Sequence, residues 1–293
     1  MKKITQFLKN KEDVQSIIEG VSSGLKEQLV AGVSGTARSL LISAISEAQR
    51  RKVLVITHQL IHAQTLYDDL SEWLDDSHVY LYPVNELIAT EMVISSPELR
   101  AERIRSLIEF LENDTGILIV PIAALKRMLP PKEYWKNYQI SVSVGDQIDL
   151  EKAVEKLFEM GYERVDMVTS PAEYSVRGGI IDIYPVTEEH PIRVELFDDE
   201  IDSIRYFDAN TQRSLDNLTT VQIVPARELL VTQEDMMRAA NKLELQLMES
   251  LKRMKASKEK QQLRETIEHD IEMLKASEYF QGMYKYSELF YES

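Results

Sequence analysis

The chain has 293 residues, 44% of them apolar and 28% charged, with no cysteine and a net charge of −15. That length supports two or three domains with real cores, and the missing thiols exclude disulfides and thiolate metal sites and fit a reducing cytoplasm. The acidic balance disfavours tight binding of a phosphate backbone by this chain alone and favours a protein partner with a basic face.

The N-terminus, MKKITQFLKNKEDV, carries lysines with no apolar run behind them, so no secretory signal is expected. Residues 25–125 alternate short apolar runs with amphipathic stretches, the pattern of an α/β domain with a parallel sheet. Within it, LVAGVSGTARSLLISAI (29–45) has a strand-like lead at Leu29 and Val30, a glycine turn, and then a helix with Leu40, Leu41, Ala44 and Ile45 on one face. The turn departs from the phosphate-loop pattern G-x-x-x-x-G-K-[S/T]. Gly32, Gly35 and Ser39 are in place, but Ala37 stands at the second glycine of the pattern and Arg38 at its lysine. Ala37 adds a Cβ where phosphate needs close backbone approach, and Arg38 brings a planar fork in place of a compact ammonium. The expectation is a degenerate P-loop kept as a strand-turn-helix, with no ATP or magnesium held by this chain.

KVLVITH (52–58) reads as a buried strand, followed by a helix from QLIHAQTLYDDLSEWL. His58 and His62 have the spacing of a zinc-protease helix, yet Gln59 stands where the catalytic glutamate belongs, so they read as a strand-end and a helix-face residue. Ser96-Pro97-Glu98 supplies a cap, a first-turn proline and an acid for a helix striped with Ile104, Leu107, Ile108 and Leu111, which Gly116 ends before the strand ILIVP. The longest clearly apolar stretch, 117–125, is far below the roughly 20 residues of a membrane span, so no membrane association is expected.

Pro130-Pro131 marks a boundary, giving domains at 1–131, 132–224 and 225–293. The second opens with the strand YQISVSVGD and a short helix capped by Asp149, ended by Gly161 and striped with Leu150, Val154, Leu157 and Phe158. EYSVRGGIIDIYP and PIRVELFDDEIDSIRYFD then read as consecutive strands, the latter pair joined by a tight turn at Asp198-Asp199. VELFDDE (194–200) is a poor Walker B candidate because its acids fall in that turn. Alternation in IRVELF puts Val194 and Leu196 on one face and Arg193, Glu195 and Phe197 on the other. Two placements remain open for Phe197: presented outward beside Arg193 and Arg177, or packed beneath the 149–161 helix.

From Thr232 the chain is helical, with Leu243, Leu247, Leu251 and Met254 matched by Leu263, Ile267, Ile271 and Leu274 across the polar bend KASKEKQQ. It ends on YFQGMYKYSELFYES, whose aromatics have no following element to cover them, as in a piece of a longer protein.

The stretch EYSVRGGIIDIYP…IRVELFDDEIDSIRYFDANTQRS resembles the second domain shared by the excision-repair protein UvrB and the bacterial transcription-repair coupling factors, and the preceding loop-bearing domain is similar to the first domain of the same module. The resemblance covers nearly the whole chain. It implies a degenerate P-loop (RecA-like) α/β domain, an inserted α+β domain that docks UvrA, and a helical segment like the start of the third piece of that module. UvrB has an intact loop and a tyrosine-rich DNA-gripping hairpin; Ala37-Arg38-Ser39 and the single tyrosine of 81–104 depart from both and point to the coupling-factor branch. By that resemblance Arg177, Arg193 and Phe197 are the UvrA-binding residues, and the module itself has no catalytic residue and no metal. The full-length family member is an ATP-dependent DNA translocase that acts on stalled RNA polymerase through other domains, and its C-terminal domain covers the docking face.

Overall fold

The structure, a computed structural model, describes residues 8–74, 78–84, 97–126 and 128–291. The chain divides into two compact units, Met1–Lys126 and Arg127–Ser293.

Among the described residues, the first unit has helices Glu12–Ser22 and Thr36–Gln49 ahead of a strand, helix, strand run. Strand β1 (Lys52–Thr57) leads through helix Leu60–Trp73 to β2 (Val79–Leu81), and helix Pro97–Glu112 leads to β3 (Gly116–Pro121). The sheet order is β1-β3-β2 and every pairing is parallel, as crossover helices dictate. Ile117 and Ile119 of β3 pack with Val79 and Leu81 against Ala63, Leu66 and Leu70. On the helix Pro97–Glu112, Ile104, Leu107 and Ile108 are buried as the stripe predicts. Its expected cap, Ser96, lies outside the described residues, as does 85–96 of the stretch where no DNA-gripping hairpin is expected.

Strand β1 corrects the reading of 52–58 as a buried run. Val53 and Val55 pack on the core, but Leu54 and Ile56, on the opposite face of the strand, are about half exposed. The lead into the glycine loop is corrected too. Leu29 and Val30 are not in a strand, and Leu29 is 95% exposed. A strand exists only where a neighbour completes its ladder, and among the described residues no strand pairs with this segment.

In the second unit, helix Lys132–Asn137 precedes β4 (Ile140–Ser143), and helix Leu150–Glu159 precedes β5 (Glu163–Arg164). Asp149 caps the latter helix by accepting from the Lys152 amide, and that backbone hydrogen bond first, then the Lys152 side chain, lowers its carboxyl pKa. Leu157 of the predicted stripe is buried, whereas Phe158 is mostly exposed. Strands β6 (Glu173–Arg177), β7 (Ile180–Ile183), β8 (Ile192–Phe197), β9 (Glu200–Phe207) and β10 (Ser214–Leu218) form a meander, so the six-stranded order is β10-β9-β8-β7-β6-β5. Strand β11 (Thr220–Ile223) turns away to pair with β4. One face of the meander buries Tyr174, Ile181, Ile183, Ile192, Val194 and Ile204.

Helices Gln233–Arg253 and Lys258–Lys275 follow, joined by the polar bend. The first starts with a reciprocal capping box between Thr232 and Asp235. The aromatic tail that the sequence leaves uncovered is covered within this unit. Met283, Tyr286 and Phe290 are buried with Leu243, Leu247, Ile271 and Leu274. Tyr291 donates to the Leu230 carbonyl at 3.1 Å and Tyr279 to that of Val231 at 3.1 Å, so both phenols are satisfied at the edge of the cluster.

Because Phe290 is fully buried in this cluster, Phe290→Ala is expected to destabilise the helical part by about 3–5 kcal/mol. Denaturant unfolding followed by circular dichroism measures it; a loss below about 1 kcal/mol would mean that the tail is not core.

Candidate functional site

The hairpin of β6 and β7 is closed by Gly178-Gly179, with Gly178 at φ +59. A Cβ on Gly179 would come within 2.9 Å of the Leu196 carbonyl oxygen, so glycine there allows the hairpin to approach β8. Asp198, at φ +61, turns β8 into β9. These turns bring the polar face of the sheet into register. Asp182 on β7 stands opposite Ser175 on β6 and Arg193 on β8, and Arg193 stands opposite Arg205 on β9.

Asp182 is 1% exposed, and a buried carboxylate without partners would be costly. It is fully engaged. Arg193 donates from Nε to Oδ1 at 2.6 Å and from Nη2 to Oδ2 at 2.8 Å, a bidentate fork, and Arg177 donates from Nη2 to Oδ2 at 2.7 Å. The hydrogen bonds that Arg193 donates to Asp182 raise its pKa above its ordinary value. Arg193 also lies over the buried Phe207 ring, 4.7 Å from its centroid. The next pair along the face is Arg205 with Glu195, joined by two hydrogen bonds, and Ser203 donates to Glu195 at 3.0 Å. Hydrogen bonding from Arg205 above all lowers the Glu195 pKa.

The structure thus brings Arg177 and Arg193 together. Their side chains differ, at 53% exposed for Arg177 and 15% for Arg193. Phe197 is 79% exposed at the end of β8, after a bulge between Glu195 and Leu196. Of its two placements the outward one is found, and the ring does not lie beneath the Leu150–Glu159 helix. Sequence reasoning missed Asp182, whose signal was a lone acid inside the apolar run IIDIY. It also missed Arg205: unbroken alternation across the Asp198-Asp199 turn would set Ile204 opposite Arg193, and the bulge between Glu195 and Leu196 is what brings Arg205 there instead.

The glycine loop carries a different arrangement. Gly32 has φ +77, and Gly35, at φ +55, occupies the N-cap of helix Thr36–Gln49 without a side-chain cap. Ala37 and Arg38 are exposed. Ser39, at the position that holds magnesium in a working loop, is 1% exposed and donates its hydroxyl to Asp69 Oδ2 at 2.7 Å. That hydroxyl ties two helices of the first unit together. His58 and His62 are both exposed, and among the described residues no group of three His, Asp or Glu side chains is placed to hold a metal. Asp198 and Asp199 sit in the β8–β9 turn as the alternation predicts. No helix among the described residues is long and apolar enough to cross a membrane.

Comparison with known proteins gives this face a context. The family described as the UvrB interaction domain matches residues 140–229, which contain the whole meander. The chain is 47% identical over 292 residues to a transcription-repair-coupling factor of Bacillus subtilis, covering 100% of this chain and 25% of that protein. It is 39% identical over 231 residues to the Staphylococcus haemolyticus protein of the same name and 42% identical over 211 residues to that of Staphylococcus aureus, covering 20% and 18% of their lengths. The chain therefore spans about a quarter or less of the length of these curated relatives.

Two outcomes follow from the geometry. Arg193→Ala removes two of the three hydrogen bonds to the buried Asp182 carboxylate and is expected to destabilise the unit by about 3 kcal/mol, whereas Arg177→Ala removes a half-exposed partner and is expected to cost under about 1 kcal/mol; urea titration of both variants separates them. Since Arg205 lowers the Glu195 pKa in the fold, this pair stabilises above the unfolded carboxyl pKa, and its contribution is lost as pH falls through the lower folded value. Carboxyl NMR should find Glu195 titrating below ordinary glutamates, and Arg205→Ala should bring it back up.

Proposed function

We propose, since this chain belongs to the transcription-repair-coupling factor family and carries its UvrB-like portion, that it is a non-catalytic adaptor that recruits UvrA by presenting the docking face of UvrB. The observation that carries this reading is the coincidence of the UvrB interaction domain match at 140–229 with one exposed patch, where Phe197 stands at the end of the strand that bears Arg193. Phe197 is the apolar anchor and Arg177 the exposed charged one. An aromatic ring with arginine beside it has the composition of an interface hot spot. Arg193, mostly enclosed, contributes by holding the face together as much as by contact.

The first domain is read as a degenerate P-loop fold that no longer binds nucleotide. Ser39, committed to Asp69, and Arg38 in place of the loop lysine support this. ATP and magnesium then belong to motor domains elsewhere in the longer proteins of the family. There the partners are DNA and stalled RNA polymerase, and a C-terminal domain covers the UvrA-docking face. The domain limits 1–131, 132–224 and 225–293, and a cytoplasmic location, belong to the same reading.

Phe197→Ala is expected to weaken UvrA binding by about 30-fold, equivalent to about 2 kcal/mol. Its thermal midpoint should stay near that of the parent chain, because the ring is exposed. Isothermal titration of UvrA into each protein measures the effect, and equal affinities would defeat the site assignment. Equilibrium dialysis with magnesium-ATP is expected to find no binding at millimolar nucleotide; binding that Arg38→Ala abolishes would favour an active nucleotide domain instead.

A further inference from the structure

We infer that Asp182 is the positioning residue of the docking face: one buried carboxylate holds Arg177 and Arg193 so that Arg177 presents its unused N–H groups outward to an acidic side chain of the partner. The inference rests on the recruitment reading above and adds to it a residue that makes no contact with the partner.

Arginine side chains on an open sheet lose much rotamer freedom when they bind, so a face built from them gains affinity if they are held in place beforehand. Asp182 supplies that constraint. It sits on the strand between those that carry the two arginines. It is 1% exposed, so its own position is set by packing. Its two oxygens take three hydrogen bonds, two from Arg193 and one from Arg177, all between 2.6 and 2.8 Å. Arg193, only 15% exposed and stacked on Phe207, acts as the fixed wall. Arg177 is the movable member, 53% exposed, with one nitrogen anchored. Its Nε and Nη1 have no partner among the described residues, so N–H donors remain for a partner carboxylate. The face also departs from the chain's charge balance: three arginines, 177, 193 and 205, meet two acids, 182 and 195, in a protein of net charge −15. The unpaired donors of Arg177 select an acidic contact.

The experiment is a double-mutant cycle on the complete chain with UvrA, reading affinity by titration calorimetry and the fold by near-ultraviolet circular dichroism. Asp182→Asn, nearly isosteric, is expected to weaken binding about tenfold while the native spectrum is kept. In an Arg177→Ala background the same change is expected to weaken it less than about twofold, because the group that Asp182 orients is gone. Equal affinity of Asp182→Asn and the parent chain would overturn the inference, and so would losses that simply multiply, which mark a general weakening of the fold. If Asp182→Asn loses the native spectrum, Asp182→Glu takes its place, since it keeps the charge but shifts it by one methylene; the same pair of outcomes then decides. Failure of the parent chain itself to bind UvrA would instead overturn the recruitment reading and the role of Asp182 with it.

Discussion

The second unit depends on how a six-stranded sheet accommodates a carboxylate in its interior. Asp182 is buried in β7 and would be untenable there alone, so the flanking strands must each deliver a guanidinium to it. That requirement couples register to charge. A one-residue slip of β8 would turn Arg193 toward the apolar face and leave Asp182 with Arg177 alone. The polar face of this sheet is therefore specified as strictly as its apolar one, by paired ions in one case and by aliphatic packing in the other.

The same constraint explains why the exposed patch has its position. Glycines at 178 and 179 close the β6–β7 hairpin against the Leu196 carbonyl, and the Asp198 turn ends β8 just after Phe197. An aromatic ring at that end has no strand residue beyond it to pack against, and it stays in solvent beside a charged face. Large exposed apolar side chains are not rare one at a time. This one stands out because of the ordered arginines on β8 and β6, and because the UvrB interaction domain match encloses them.

In the first unit the polar groups around the glycine turn take on structural roles. Positive backbone angles at Gly32 and Gly35 preserve a turn ahead of helix Thr36–Gln49, yet the hydroxyl of Ser39 is spent on Asp69, within the protein. The segment before the turn has no strand partner among the described residues, so the sheet begins at β1. Leu54 and Ile56, on the face of β1 opposite its core contacts, are half exposed.

Local pattern by itself determined the parallel α/β character of the first unit, the consecutive strands of the second, the two-residue turn at Asp198, the Asp149 cap and the bend between the long helices. Each of these depends on neighbours within a few residues, through side-chain period, φ preference or capping. Chain order also revealed the altered residues of the glycine loop, and resemblance singled out Arg177, Arg193 and Phe197. Tertiary structure alone decided that 29–30 is not a strand, that β1 lies at an edge, that the aromatic tail folds back onto its own helices, and that Phe197 faces solvent. It alone identified Asp182 and Asp69 as the acids on which the arginines and Ser39 depend. Those outcomes turn on pairing and burial between segments distant in sequence, and a polar group's partner across a sheet or between helices leaves no local periodic trace.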